Sequence, residues 1–385
     1  MKHTNFSLAC RPLCSIVGKV AAGFVFALAL LLASSCANGS SSQMPSDGDT
    51  IPMRHARNIT MVRYGDYVKV EMLNPWVKGG LLATYVLADR NAEAPEWLGH
   101  SVLVRTPLQN ALVFASVHCN LLVELGAEES IGGVCEKQYV SCLTKDVVDC
   151  GNGMSPNMER IIQLHPDAML VSSFENNPGY DKLGQIGVPI IQCAEYMEAT
   201  ALARAEWMKF FGLLAGKGHE AEAMFEALEA RYDSLKALAQ NVAARPKILS
   251  ETLYGNVWYQ PGVGSTVGQI YADAGAQTAF PEHRQSGSVP MSAEQVYADA
   301  HDADLWLIRY NASTPKTLRQ LADEAPIYSQ FDALRQGNVW GCNATASRFY
   351  EQSPFHPDRL LSDIIQIAHP ELHLQEPMHY YHRLK

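Results

Sequence analysis

The chain has 385 residues, of which 18% are charged and 47% are hydrophobic, and it carries 40 acidic residues against 30 basic ones. This negative balance disfavours binding to nucleic acid or to anionic lipid, because both attract proteins through clusters of Lys and Arg. The length is sufficient for two hydrophobic cores.

Residues 1–35 have the pattern of an export signal. Lys2, Arg11 and Lys19 are its only charged residues, and its apolar stretch of residues 20–33 is shorter than the ~20 residues that span a bilayer. The stretch that follows, ALLLASSCANGSSS, resembles the lipobox of bacterial lipoproteins, in which the cysteine, here Cys36, becomes the acylated first residue. An ordinary signal peptide cleaved near the same position is the alternative. Without the signal, 27 basic residues remain against 40 acidic ones.

Two segments precede the main body. Residues 36–58 begin with a stretch rich in Ser, Gly, Asn and Asp, and we predict that they form a lipidated flexible tether. Residues 59–100 contain three β-rich runs, ITMVRY, YVKVEML and LLATYVLA, which are divided by glycines. These runs predict a small antiparallel β meander.

The main body has three regions. Residues 101–198 and 246–385 alternate short apolar runs with helical stretches, which indicates βα units and mostly parallel sheets. Residues 199–245 carry a nearly unbroken helical pattern with one interruption, at Gly216-Lys217-Gly218. We therefore predict an α/β protein in which two βα lobes are joined by a long backbone helix.

The two alternating regions share a local pattern. Residues 155–173 and 291–310 each contain a helix cap, a glutamate two positions later, a short helix, an aspartate and an apolar strand. The glutamates are Glu159 and Glu294. A carboxylate in the first turn of a helix also offsets the helix dipole, by less than ~1 kcal/mol, and this role alone would explain either glutamate by itself.

These motifs and their neighbouring segments resemble those of a known protein family. The stretches LLVELGAEESIGGV, NMERIIQLHPDAMLV and MSAEQVYADAHDADLWLI resemble the helix-linked (class III) periplasmic substrate-binding lipoproteins of ABC importers for iron chelates, haem or cobalamin. The resemblance extends from about residue 100 to the end of the chain. The preceding meander, with Asn74-Pro75-Trp76, resembles an extension carried by one lipoprotein subgroup of that family.

The resemblance implies a function and a set of partners. It implies a periplasmic protein, lipid-anchored in the bacterial cell envelope, that delivers its ligand to an ABC permease and the associated ATPase. In the family, the glutamates that match Glu159 and Glu294 face the membrane and pair with arginines of the permease. This role would explain why each lobe carries such a glutamate, because two related permease subunits require one acidic contact from each lobe.

We expect the ligand between the lobes, in loops that follow the carboxyl ends of the strands. Aromatic rings there would stack on a large ligand, arginines would meet carboxylate or phosphate groups, and imidazole or phenolate would bind iron. The alternative for any single His or Tyr is a local hydrogen bond. The candidate ligand-binding residues are His118, Tyr139, Trp258, Tyr259, Arg309, Arg348 and Tyr350.

The sequence contains no G-x-S-x-G, HExxH or GxGxxG motif, so we predict no catalytic residues, resident metal or cofactor, although the ligand itself would contain iron or cobalt. An exported chelatase-like enzyme acting on tetrapyrroles and a surface haem receptor are the alternatives. Six cysteines follow Cys36, an even number that allows disulfides whose pairing the sequence does not give. We predict a solvated tail around the four histidines after residue 368, because prolines interrupt any helix there.

Overall fold

The computed structural model of the chain describes residues 47–174 and 179–385. The predicted export signal and Cys36 lie outside these residues. Residues Pro45–Lys385 group into one compact unit. Within the described part of the chain, no helix combines the length and the apolar character needed to cross a bilayer.

The first sheet is larger than the predicted meander of residues 59–100. Its strands, in spatial order, are β1 (Asp49–Ile51), β2 (Ile59–Tyr64), β3 (Tyr67–Leu73), β4 (Leu81–Asp89) and β5 (Val102–Thr106). The first four pair in antiparallel fashion, whereas β5 runs parallel to β4. The sheet therefore includes β1, which we had assigned to the tether, and β5, which we had assigned to the first lobe. The strand with which a segment pairs decides the sheet to which it belongs.

A buried carboxylate holds the segment that leads into β2. Glu206 accepts hydrogen bonds from the backbone N–H groups of residues 54, 55 and 56 at 2.8, 2.8 and 2.9 Å, and from Lys209 Nζ at 3.0 Å. Burial alone would raise the pKa of Glu206, but these bonds outweigh it and the pKa lies below its usual value. This part of the predicted tether is thus fixed to the main body.

The first lobe is built on a parallel sheet of the order β12-β11-β6-β7-β8. Strand β11 is buried at four of its five residues, as expected for a strand covered on both faces. The elements, in chain order, are β6 (Ala111–Val113), α1 (Ser116–Glu124), β7 (Ile131–Val134), β8 (Val148–Asp149), β9 (Gly151–Asn152), β10 (Ser155–Pro156), α2 (Met158–Leu164), β11 (Ala168–Ser172), α3 (Gly179–Gly184) and β12 (Ile190–Cys193).

Three helices form the linking region, α4 (Ala201–Glu206), α5 (Met208–Ala215) and α6 (Gly218–Gln240). The predicted interruption is present, because Gly216 ends α5 in a left-handed conformation, with φ 68°, that other residues adopt at a cost. A further break falls at Trp207, between α4 and α5. Helix α6, of 23 residues, is the predicted long backbone helix.

The second lobe has a sheet of the order β16-β13-β18-β19-β20, parallel except for β20, and a smaller antiparallel sheet, β14-β15-β17. Its strands are β13 (Lys247–Ser250), β14 (Leu253–Tyr254), β15 (Val257–Pro261), β16 (Gln277–Thr278), β17 (Ser288–Met291), β18 (Leu305–Tyr310), β19 (Val339–Asn343) and β20 (His382–Arg383). Its helices are α7 (Thr266–Asp273), α8 (Ala293–Ala300), α9 (Leu318–Glu324), α10 (Asp332–Arg335), α11 (Phe349–Gln352) and α12 (Pro357–Ala368).

The predicted solvated tail is wrong. The buried carboxylate of Asp363 accepts hydrogen bonds from the backbone N–H groups of residues 379, 380 and 381, at 2.8, 2.6 and 3.0 Å. His369 is buried, and β20 pairs with β19. Burial raises the pKa of Asp363 to about 6, although the three hydrogen bonds oppose the rise. The last residues are therefore part of the second lobe.

The cysteines that follow Cys36 are free thiols, and five of the six are buried. Burial raises the pKa of Cys135 to about 12 and that of Cys342 to about 11, so these thiols stay protonated at neutral pH. The set comprises Cys119, Cys135, Cys142, Cys150, Cys193 and Cys342.

Candidate functional site

Glu159 and Glu294 occupy equivalent, exposed positions in the two lobes. Each lies in the first turn of a short helix, α2 or α8, which is capped by the side chain of Asn157 or Ser292. The caps accept hydrogen bonds from backbone N–H groups at 3.1 and 3.2 Å. Backbone N–H and the Ser292 hydroxyl lower the pKa of Glu294, so this carboxylate is charged at neutral pH.

Both glutamates lie at the carboxyl-end edge of the sheet in their lobe. The far end of α2 meets the amino end of β6, where the Asn110 amide donates to the Leu164 carbonyl at 2.7 Å. The residues after α8 likewise meet the amino end of β13, where the Asp304 N–H donates to the Lys247 carbonyl at 3.0 Å. Each helix therefore runs antiparallel to its strands, and its first turn lies at their carboxyl ends.

Polar contacts join the lobes where the cleft was expected. Glu351 of α11 accepts hydrogen bonds from the Ser141 backbone N–H and hydroxyl, at 2.7 and 2.8 Å. Arg348 donates to Glu351 at 2.5 Å and to the Asn120 amide oxygen at 2.7 Å. The guanidinium of Arg348, a predicted ligand contact, is thus already engaged between the lobes. No local sequence pattern indicates its partner in the other lobe, because Asn120 lies 228 residues away along the chain.

Two predicted ligand-binding tyrosines flank this junction, one from each lobe. Tyr139 is two residues from Ser141, Tyr350 is next to Glu351, and both rings are more than half exposed. The Arg309 guanidinium lies 6.0 Å from the centre of the Tyr350 ring. The structure therefore brings aromatic surface and a cation together on the exposed side of the junction.

Arg309 is paired before any ligand arrives. Its Nη2 lies 2.6 Å from Glu251 Oε1, and its guanidinium also stacks on the Phe349 ring at 5.4 Å. Burial by itself would lower the pKa of Arg309, but the Glu251 charge outweighs it and the pKa is raised. Arg309 therefore supports the aromatic surface, and Glu251 balances its charge.

Trp258 does not lie in the cleft. Its side chain is 0% exposed, packs 5.4 to 5.6 Å from the rings of three other aromatic residues, and donates a hydrogen bond to the Ser250 carbonyl at 2.9 Å. Its neighbour Tyr259 points to the opposite, exposed side of β15, in register with Pro290 of β17. Side chains alternate along a strand, so only one of the two residues could face solvent.

His118 is also in the interior, at 1% exposure, and stacks on the Phe211 ring with centroids 4.9 Å apart. Its Nε2 lies 3.3 Å from Glu195 Oε2, an ion-pair distance, yet neither ring nitrogen makes a directed hydrogen bond. Arg204 approaches the other Glu195 oxygen at 3.3 Å. Burial alone would raise the pKa of Glu195, but the charges of His118 and Arg204 lower it to about 2. This interior charge cluster was missed from the sequence, and it removes His118 from the surface open to a ligand.

Across the described residues, no group of three or more His, Cys, Asp and Glu side chains is arranged to hold a metal ion. The exposed groups at the lobe junction include the aromatic rings of Tyr139 and Tyr350. Such a surface suits a large organic ligand better than a bare ion.

Comparison with known proteins supports the fold. A family model described as periplasmic binding protein matches residues 116–346. An uncharacterised lipoprotein of Methanocaldococcus jannaschii is 25% identical, over 97% of this chain and 95% of that protein.

Two solved structures share the fold. A possible iron-binding periplasmic solute-binding protein of Staphylococcus epidermidis covers 69% of this chain and 100% of its own, with 16% identity and a TM-score of 0.55. A periplasmic heme binding protein of Pseudomonas aeruginosa covers 68% of this chain and 93% of its own, with 18% identity and a TM-score of 0.53. These likenesses confirm the predicted α/β fold.

Proposed function

Because this chain belongs to the periplasmic binding protein family, we propose that it captures an iron chelate, haem or cobalamin and delivers it to an ABC permease and its ATPase. The observation that carries the delivery step is the pair of exposed carboxylates, Glu159 and Glu294. One stands on each lobe, in the same capped first turn and at the same edge of the sheet. A permease built from two related subunits needs this arrangement.

The ligand class follows from the exposed side chains near the junction. Tyr139 and Tyr350 offer π-surface and phenol oxygens, and Arg309, whose charge Glu251 balances, packs behind the Tyr350 ring. Phenolate is a good ligand for ferric iron, and aromatic faces pack on porphyrin, corrin or catecholate rings. We rank a ferric chelate or haem above cobalamin, because the phenol oxygens of Tyr139 and Tyr350 are possible iron ligands.

The proposed cellular location of the protein follows from Cys36. Acylation of this cysteine would anchor the protein to the outer side of a membrane, and the body would reach its permease through the short stretch before β1. A lipoprotein relative that matches nearly the whole chain supports this anchoring. The membrane contact we propose is the lipid alone.

The ligand proposal is tested by titrating the protein with haemin, a ferric siderophore and cyanocobalamin. Tyr350→Ala should weaken binding by about tenfold or more, because it removes both the ring and the phenol. Tyr350→Phe is the matched control: retained affinity indicates stacking, and lost affinity with a changed charge-transfer band indicates iron ligation. Tight binding of cyanocobalamin alone would reverse the ranking. Binding of a free divalent metal and of none of the three would contradict the ligand class.

The delivery proposal is tested by charge reversal. The double variant Glu159→Lys, Glu294→Lys should lose ligand delivery to the permease while its ligand affinity stays within about twofold, because both residues are exposed at the rim of the lobes. Glu226→Lys, an exposed change on α6, is the control and should transport normally. Normal transport by the double variant would return both glutamates to the role of offsetting helix dipoles.

A further inference from the structure

In the first lobe, a small antiparallel hairpin leads directly into the helix that carries Glu159. Strand β9 pairs with β10, and the residue after Pro156 is Asn157, the cap of α2. Met154 lies in the turn of this hairpin, where its backbone N–H donates to Asn152 Oδ1 at 2.8 Å. The two residues of β10 lie between Met154 and the cap, so three residue steps of extended chain, about 10 Å, separate the two. The Met154 side chain is 61% exposed.

The second lobe has the same arrangement, made from residues far apart in the chain. Strand β17 leads directly into Ser292, the cap of the helix that carries Glu294. In the antiparallel sheet of β14, β15 and β17, Tyr254 pairs with Val257, and the register places Val257 level with Ser292. Two strand spacings, about 10 Å, therefore separate Tyr254 from the cap. The Tyr254 side chain is 80% exposed, at the turn of the β14–β15 hairpin.

Each lobe thus presents a large exposed side chain on a hairpin turn, at the same edge as its glutamate and about 10 Å from the glutamate's helix cap. The two hairpins differ in sequence and in connectivity, so the shared arrangement does not follow from a repeated motif. An exposed Met or Tyr leaves apolar surface in contact with water, which is unfavourable in the unbound protein. Both residue types are enriched where proteins bind partners. Their position continues the surface on which the proposed docking glutamates stand.

We propose that Met154 and Tyr254 are apolar docking contacts, each of which enters a recess on one permease subunit beside the group that pairs with Glu159 or Glu294. This inference rests on the proposed function. The carboxylates steer the approach and fix orientation, while the two hairpin tips provide the buried contact that slows dissociation. Each permease subunit then receives one charge and one apolar side chain, both from the same lobe.

The test uses the full acylated chain and the permease–ATPase complex of the same organism held in lipid nanodiscs. Met154→Ser and Tyr254→Ser should each weaken binding to the complex about tenfold, and the double variant about a hundredfold, because the two sites lie on separate lobes. Ligand affinity and thermal unfolding should not change, since both side chains are exposed. Leu238→Ser, a substitution of an exposed apolar residue on α6, is the matched control and should bind as the wild type does.

A photo-reactive phenylalanine analogue placed at position 154 or 254 gives a second readout. It should cross-link to permease subunits from both positions and not from position 238. The inference is overturned if the serine variants bind within twofold of the wild type while reversal of Glu159 and Glu294 still abolishes binding, or if the cross-links go to lipid alone. If the wild type does not bind the complex and reversal of the glutamates changes nothing, the proposed function itself has failed.

Discussion

Replacing His118 by alanine separates a ligand-binding role from a structural one. From the sequence, His118 was a candidate iron ligand, but in the structure it stacks on Phe211 and lies 3.3 Å from the buried Glu195 carboxylate. We therefore expect His118→Ala to destabilise the fold and to leave the ligand affinity of the folded protein within about twofold. The reason is that, among the described residues, Arg204 is the one ion-pair partner of the buried Glu195 that the variant keeps.

The size of the effect follows from the charges. Removal of one partner from a buried ion pair costs about 3 to 5 kcal/mol of unfolding free energy, because the remaining charge stays out of water. The pKa of Glu195, about 2 against an ordinary 4.5, indicates a net stabilisation of its charged form of about 3 kcal/mol, shared between His118 and Arg204. Loss of the stacking on Phe211 adds to the cost. We expect a total of about 3 kcal/mol or more.

The pH dependence has a definite sign. The folded-state pKa of Glu195 lies below its unfolded value, so its contribution is present above pH 4.5 and is lost as the pH falls towards 2. Without the charge of His118, burial is opposed less strongly and the pKa of Glu195 rises. The acid-unfolding midpoint of His118→Ala should therefore move to higher pH.

Urea unfolding followed by circular dichroism at pH 7, with acid titrations in parallel, measures both effects. His219→Ala, a substitution of an exposed histidine on α6, is the control and should unfold as the wild type does. The reasoning is refuted if His118→Ala unfolds within 1 kcal/mol of the wild type and binds its ligand more than tenfold more weakly.

Two further outcomes are expected. Cys36→Ser should move the protein from the membrane fraction to the soluble fraction with unchanged thermal unfolding, because Cys36 precedes the first strand by more than ten residues; retention in the membrane would contradict acylation at this residue. Trp258→Ala should cost about 3 to 5 kcal/mol of unfolding free energy, since it empties the centre of an aromatic cluster, and should leave ligand affinity unchanged in protein that remains folded. Tyr259→Ala is the matched control on the other face of β15. If only the tryptophan variant loses ligand affinity, Trp258 contacts the ligand and the reasoning is contradicted.

Local features of this protein were predictable because they depend on neighbours in the chain. The apolar run AMLVS of β11 identified a buried strand, and the glycine pair around Lys217 marked the start of the long helix. Asn157 and Ser292 cap their helices as the sequence predicted, so each glutamate stands in a first turn. A helix end or a strand is decided by backbone geometry within a few residues, and side-chain chemistry there is enough to indicate it.

Tertiary structure alone decided which side chains are exposed and which distant residues meet. The sequence VWYQP of β15 allowed either Trp258 or Tyr259 to face solvent, and only packing against the core of the second lobe buried Trp258 and left Tyr259 exposed. His118 was buried by Phe211, 93 residues away in the chain, and Ser141 met Glu351 across the lobe junction. Contacts of this kind leave no periodic signal in a sequence, because their free energy arises only when separate elements have already been brought together.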